Sequence, residues 1–232
     1  MFEADVAGAY DAWFDTPLGR FVDETETECA FRLLEPGPSQ RILDIGCGTG
    51  HFTEKIAATG AEVVGVDASQ AMLEVARGRL DRAGASDLVR YRRMDAHALE
   101  FEDNSFDGVL SMATISFVED PAKVLQEMLR VTKDGGRVVI GALHRDSSWG
   151  EFYQELARQG DPVFRHAKLM SRGEIEALDP ARLVTVDGCL YLPPDTDEAE
   201  ISREEERRRG EHERPGFLCA LWTAGAGRPA GA

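Results

Sequence analysis

The sequence predicts an α/β protein, a mostly parallel sheet with helices packed on both faces. Two observations carry this expectation. From residue 41 to residue 143, short apolar runs suited to buried strands alternate with stretches whose apolar residues recur at helical spacing. A glycine-rich turn follows the first of those runs and leads into a helix, and the second run ends on a carboxylate. Open α/β sheets bind ligands at such an edge.

Taken in order, Phe2, Val6, Tyr10 and Trp13 recur at helical spacing and would form one apolar face. A second helix is predicted over residues 20–34, stopped by Glu35-Pro36-Gly37-Pro38. Residues 41–45 read as a buried strand and residues 52–59 as a helix closed by Gly60. Residues 63–66 form the next strand, and Met72, Val75, Ala76 and Leu80 line the helix after it. Residues 88–92 give a weak strand and residues 106–112 a strong one. Pro121 opens a helix that turns Val124, Leu125, Met128 and Leu129 inward. Gly135-Gly136 is expected to turn into a fifth strand at residues 137–140.

Beyond it, Trp149, Phe152, Tyr153 and Leu156 suggest a helix, and Ser171 with Glu174 has capping-box spacing. Residues 183–191 and 217–223 read as two last strands around an acidic surface insertion, residues 193–215. The expected organisation is a single domain: N-terminal helices at 1–38, a core at 39–143, an insertion at 144–180, C-terminal strands at 181–224 and a fraying tail at 225–232.

Composition sets the function classes. With 232 residues, 43% hydrophobic and 29% charged, the chain can build one well-cored domain and does not resemble a disordered polymer. No apolar run approaches the roughly 20 residues of a spanning helix, and the first basic residue is Arg20, so neither a membrane span nor an export signal is expected. Cys29, Cys47, Cys189 and Cys219 lie far apart in sequence and form no CxxC pair, which suggests neither a metal site nor a disulfide framework. The expectation is a cytoplasmic protein.

A net charge of -16 disfavours a partner gripped through phosphates. The basic run Arg207-Arg208-Arg209 directly follows Glu204-Glu205-Glu206, and it reads as a helix whose charges compensate on a solvated face. A small-molecule partner is expected, with no nucleic acid and no membrane.

The segment that carries chemistry is Leu43-Asp44-Ile45-Gly46-Cys47-Gly48-Thr49-Gly50. A glycine-rich turn between strand and helix lets backbone approach a ligand and leaves helix N–H groups free. The spacing is GxGxG. A dinucleotide fingerprint would have glycine where the chain has His51, which counts against a nicotinamide-dependent oxidoreductase. Asp67, closing the strand Val63-Val64-Gly65-Val66, can accept hydrogen bonds from both hydroxyls of a ribose.

Together with Met94-Asp95-Ala96 and Phe106-Asp107-Gly108-Val109-Leu110-Ser111, these residues resemble class I S-adenosylmethionine-dependent methyltransferases, in particular the small-molecule type 11, ubiquinone-methyltransferase-like subgroup. The resemblance covers residues 41–143 well and the flanks loosely. It implies a Rossmann-like, seven-stranded, mostly parallel sheet under an N-terminal helical lid, and S-adenosyl-L-methionine as cofactor. The implied reaction transfers a methyl group to a small acceptor by in-line displacement.

It also implies residue roles. The backbone of Gly46, Cys47 and Gly48 would lie along the methionine part of the cofactor, with Asp44 near its amino group. Asp67 would hold the ribose, Ala68 and Met72 would pack on adenine, Asp95 and the Ala96 N–H would read the adenine edge, and Ser111 would border the methyl group. Tyr10, in a Tyr-Asp pair, would close over the cofactor. His144 and Tyr10 are the catalytic candidates, and Arg145, Arg165 and His166 are further acceptor-side candidates; no metal is implied. The chain departs from the family at Ser116-Phe117, where relatives place histidines, and at Lys133-Asp134, where they have Lys-Pro. The alternative readings are a non-catalytic binder of the same cofactor and, behind it, the oxidoreductase.

Overall fold

The computed structural model describes residues 13–83 and 87–225. The predicted apolar face at Phe2, Val6 and Tyr10 lies outside the described residues, as does the tail from residue 226.

The first described helix, α1, spans Pro17–Leu34 and begins three residues before the sequence suggested. Thr16 explains the difference: its side chain accepts the Gly19 N–H as an N-cap, and Pro17 occupies the first turn, where a missing N–H costs nothing. The helix ends at Glu35, whose φ of 51° turns the chain toward Pro36. Val22, Cys29, Ala30, Leu33 and Leu34 are buried on its inner face.

The chain then alternates as predicted. β1 (Arg41–Ile45) leads to α2 (His51–Ala57), β2 (Glu62–Asp67) to α3 (Gln70–Ala83), and β3 (Val89–Arg93) follows. β4 (Phe106–Met112), α4 (Pro121–Val131), β5 (Thr132–Leu143), α5 (Ser148–Arg158), α6 (Arg172–Glu176), β6 (Leu183–Cys189), α7 (Arg203–Arg209) and β7 (Phe217–Thr223) complete it.

The seven strands form one Rossmann-like sheet of order β3-β2-β1-β4-β5-β7-β6. β1 to β5 pair in parallel, and β7 runs antiparallel between β5 and β6. Strand alternation divides the buried side chains between two faces. Leu43, Val109, Val138 and Ile140 meet α4 and α6, whereas Ile42, Leu110 and Val139 meet α1 and β7's Cys219 and Leu221. The strand order reverses between β1 and β4, so their carboxyl ends flank the crevice at which such sheets bind ligands.

Three local expectations are corrected. β5 begins at Thr132 rather than 137, because the segment expected to turn stays on the sheet as an irregularity between Phe106↔Thr132 and Gly108↔Arg137. Gly135 N–H donates to Ala224 O and Ala224 N–H to Gly136 O, which holds that excursion in place. β6 stops at Cys189, since Leu190 takes a φ of 65° that leaves the strand. In α7, Arg208 and Arg209 do pair with Glu205 on the outside, but Glu206 turns inward. Its carboxylate accepts the N–H groups of Tyr191 and Leu192, so a residue read as solvated secures the insertion instead.

Sequence distance also hid a cluster. Cys29, Cys189 and Cys219, from α1, β6 and β7, are free thiols buried in one cluster.

Candidate functional site

The turn after β1 is shaped by three glycines. Gly46, Gly48 and Gly50 have φ of 68°, 53° and 85°, a region that residues with a Cβ enter at a cost of about 1–2 kcal/mol. Their surroundings differ. A Cβ on Gly46 would strike the Thr114 side chain, and one on Gly50 the Tyr91 ring, so these two glycines serve packing. A Cβ on Gly48 would meet nothing within 4 Å. Gly48 is therefore where the loop backbone lies open to an approaching group.

Neighbouring strands hold the loop from below. The N–H groups of Gly46 and Cys47 both donate to Val66 O, at 2.7 and 3.0 Å. Thr114 Oγ1, just past β4, donates to Gly46 O at 3.2 Å and shares its proton with Met112 O at 3.1 Å. Asp67, the last residue of β2, reaches back to the loop: its Oδ2 accepts Gly48 N–H at 3.0 Å and its Oδ1 accepts Ser69 N–H at 2.7 Å. Burial pushes the Asp67 carboxyl up, and the N–H groups of Ser69 and Gly48 oppose it. Each oxygen keeps acceptor capacity beyond its backbone bond.

Asp44 lies beneath the loop and is almost sealed, 1% exposed. Thr53 Oγ1, one turn into α2, donates to Asp44 Oδ2 at 2.6 Å. Burial pushes the Asp44 carboxyl up to about 7, the Thr53 bond opposes this, and the nearby Asp67 charge adds to it. Cys47 is buried, and burial raises its thiol well above the ordinary range, so it packs rather than reacts.

After β3, Asp95 is mostly exposed and tied to His97: its Oδ1 accepts His97 N–H at 2.9 Å and lies 2.7 Å from His97 Nδ1. The backbone and side chain of His97 hold the Asp95 carboxyl below its usual value. Asp120 N–H donates to His97 Nε2 at 3.2 Å, so Nδ1 carries the ring proton. Ala96 packs on the core beside it. Ala68 lies exposed next to Asp67, while Met72 is buried under the Ser69 turn, its N–H on Ser69 Oγ.

Ser111 at the end of β4 and Ser116 just beyond it are fully buried, and their hydroxyls have no hydrogen-bond partner among the described residues. His144 follows β5 and is 6% exposed, with Nδ1 2.8 Å from Pro215 O. Arg145 pairs with Glu174, and Arg165 and His166 interact with each other on the surface. Tyr10 lies outside the described residues. The aromatics that follow it dock on the scaffold: Trp13 meets Trp149 edge-on at 6.5 Å, and Phe14 stacks on His51 at 4.7 Å.

The structure thus brings Asp44, Gly46, Cys47, Gly48 and Asp67 into one bonded unit at the crevice, with Ser111 beside it on β4. Asp95 and Ala96 lie on the adjoining β3 turn, whose Met94 N–H bonds to Asp67 O. His144 lies farther along the same edge. Sequence reasoning missed Thr53, Thr114 and His97, each of which acts through a partner that only folding supplies. His51, read only for the fingerprint it breaks, binds Asp23 on α1 at 2.6 Å and so ties that helix to the loop.

Comparisons with known proteins bear on the family and the fold. The profile of a family described as a methyltransferase domain matches residues 43–140. A ubiquinone biosynthesis O-methyltransferase of Ruegeria sp. is 36% identical over 183 residues, 75% of this chain and 71% of that protein. An uncharacterized protein of Mycobacterium tuberculosis is 36% identical over 191 residues, 81% of this chain but 62% of that protein, so the chain spans about three fifths of this relative. Among solved structures, an S-adenosylmethionine-dependent methyltransferase of Thermotoga maritima, described as a possible histamine N-methyltransferase, aligns with a TM-score of 0.73 at 26% identity. That alignment covers 96% of this chain and 98% of the other.

Proposed function

The chain belongs to the class I S-adenosylmethionine-dependent methyltransferases, and from that membership we propose that it transfers a methyl group to a small-molecule acceptor. S-adenosylmethionine is its cofactor and supplies, when bound, a methyl group made electrophilic by a sulfonium. The observation that carries the reading is Asp67, whose two oxygens are oriented by Gly48 and Ser69 N–H groups beside the one loop glycine that faces open space.

Each residue has a proposed task. Asp67 receives the ribose hydroxyls on its remaining lone pairs. The backbone of Gly46, Cys47 and Gly48 supports the methionine part, with Asp44 as the negative group near its ammonium. Ala68 lies against adenine, and Asp95 with the Ala96 N–H reads its edge; Met72 supports that wall from the core. The orphaned Ser111 hydroxyl finds its partner at the reacting end of the crevice, since buried polar groups in native proteins are bonded. Trp13 and Phe14, docked on Trp149 and His51, border the crevice, and residues 144–180 shape the acceptor side. The chain's main contribution is alignment, because fixing nucleophile and methyl near contact removes most of the entropic barrier.

A small acceptor accords with the charge of -16 and with the named activity of the Ruegeria relative. The test is incubation with methyl-labelled cofactor and a whole cell extract, followed by size separation and mass spectrometry. The expected outcome is label in a small product. Label only in nucleic acid or protein would replace the acceptor class, and binding without any transfer would leave a non-catalytic cofactor binder.

A further inference from the structure

We propose that His144 is the general base of the transfer, and that the acceptor therefore presents a nucleophile bearing a proton, a hydroxyl or an N–H. This rests on the methyltransferase reading above.

Five histidines are present, and their ring nitrogens are used differently. His51 is engaged on both sides, by Asp23 and Arg79. His97 is engaged by Asp95 and by the Asp120 N–H. His166 and His212 sit at the surface beside Arg165 and Glu211. His144 alone is buried with one nitrogen committed: Nδ1 lies 2.8 Å from Pro215 O, and Nε2 has no partner among the described residues. A carbonyl oxygen only accepts, so Nδ1 carries the hydrogen and the lone pair of the neutral ring resides on Nε2.

The backbone fixes that ring in place. His144 N–H donates to Gly216 O at 3.0 Å, Ser147 Oγ donates to His144 O at 2.8 Å, and His144 bridges to Met170. Alternation along β5 puts His144 on the face of Ile140 and Ala142, and Ile140 pairs with Ser111. A ladder of bonds joins this strand end to the glycine loop: Arg145 N–H to Met170 O, Lys168 N–H to Ser116 O, and Thr114 Oγ1 to Gly46 O. Of the two orphaned hydroxyls, Ser116 belongs to a residue of that ladder and Ser111 to the residue paired with Ile140.

In the step, the acceptor's O–H or N–H proton passes to Nε2. The freed pair forms the bond to the methyl carbon, and the broken carbon–sulfur pair remains on sulfur. A positioned base of this kind contributes about 100-fold to 10,000-fold.

His144→Asn tests the assignment, because the asparagine amide stands where Nδ1 does and can keep the bond to Pro215 O while lacking Nε2. His144→Gln is the second variant. Nitrogen NMR of the wild-type ring should report hydrogen on Nδ1, and both variants should bind S-adenosylhomocysteine with wild-type affinity by calorimetry, which also shows that they are folded. With the acceptor that wild type labels in extract, both should lose about 100-fold or more in kcat with little change in KM. Hydrogen on Nε2 in the wild-type ring, or a folded variant within a few-fold of wild-type kcat, overturns the base. Wild type that labels nothing overturns the methyltransferase reading and the base together, whereas a labelled product made equally well by His144→Asn overturns only the base.

Discussion

The Thr53 hydroxyl donates to Asp44 Oδ2 at 2.6 Å in a place where neither side chain meets solvent. A carboxylate there is costly to ionise, which is why burial drives Asp44 up to about 7 despite the Thr53 bond. A cationic ammonium beside it would favour the ionised form. Binding of S-adenosylhomocysteine near neutral pH is therefore expected to release part of a proton. Calorimetry in two buffers of different ionisation enthalpy measures this, and Asp44→Asn should abolish the buffer dependence. Identical heats for wild type in both buffers would separate Asp44 from the ligand's amino group.

The same physics bears on stability. Burial, then the Asp23 charge, raises Glu26 on α1 to about 8, with Lys55 opposing. Both Asp44 and Glu26 have folded pKa values above their unfolded values of roughly 4. Their contribution is fully present below about pH 4 and is lost as pH rises through about 7 to 8. The ligand-free protein should lose Tm between about pH 4 and about pH 8 and level off above that, and Glu26→Gln should flatten part of that loss. A wild-type Tm that rises across this window would contradict both assignments.

Two glycines two residues apart should fail differently. At Gly46, alanine meets Thr114 and a positive φ, so Gly46→Ala should lower the melting temperature strongly and disturb the loop. At Gly48 only the φ strain of about 1–2 kcal/mol applies, because the added methyl points into open space. Gly48→Ala should stay folded and lose affinity for S-adenosylhomocysteine. Melts and titrations of both variants decide it; equal loss of stability with unchanged ligand affinity in both would mean that Gly48 does not face the ligand.

Much of the fold was legible because it rests on local signals. The β1 to β4 alternation, the Pro121 helix start and the Ser171–Glu174 capping box all appear where apolar period and cap chemistry place them. The glycine loop and Asp67 were legible for the same reason. Thr16 and Pro17 form a start signal present in the sequence, three residues ahead of the start predicted at residue 20. Other features depended on partners distant in sequence. Thr114 matters through Gly46, 68 residues away, and His144 through Pro215, 71 residues away. Glu206 sits in a charged run, and only the N–H groups of Tyr191 and Leu192 distinguish it from its exposed neighbours.

The N-terminal segment offers a further test. Trp13 rests against Trp149 and Phe14 against His51, and burying such rings contributes about 1.5–3 kcal/mol each. Deleting residues 1–15 should leave a folded sheet domain that still binds cofactor but turns over far more slowly, since a lid excludes water and completes the acceptor pocket. Circular dichroism, a melt and labelled-methyl turnover measure it. Full activity would remove the lid role, and loss of the cooperative melt would make these aromatics part of the core.

The proposed role of Asp67 is to hold S-adenosylmethionine in the crevice between β1, β2 and β4. Its most direct measurement is titration of wild type and Asp67→Ala with S-adenosylhomocysteine, read by calorimetry and by melting, with NAD as the competing ligand. Wild type should gain about 2.7 kcal/mol at 100 times the dissociation constant. Asp67→Ala should remain folded and bind about ten- to a hundredfold more weakly, since hydrogen bonds to a charged group are worth about 1.5–3 kcal/mol. A wild-type melt unmoved by S-adenosylhomocysteine but raised by NAD would overturn the cofactor, and a folded Asp67→Ala of undiminished affinity would mean that the ribose is held elsewhere.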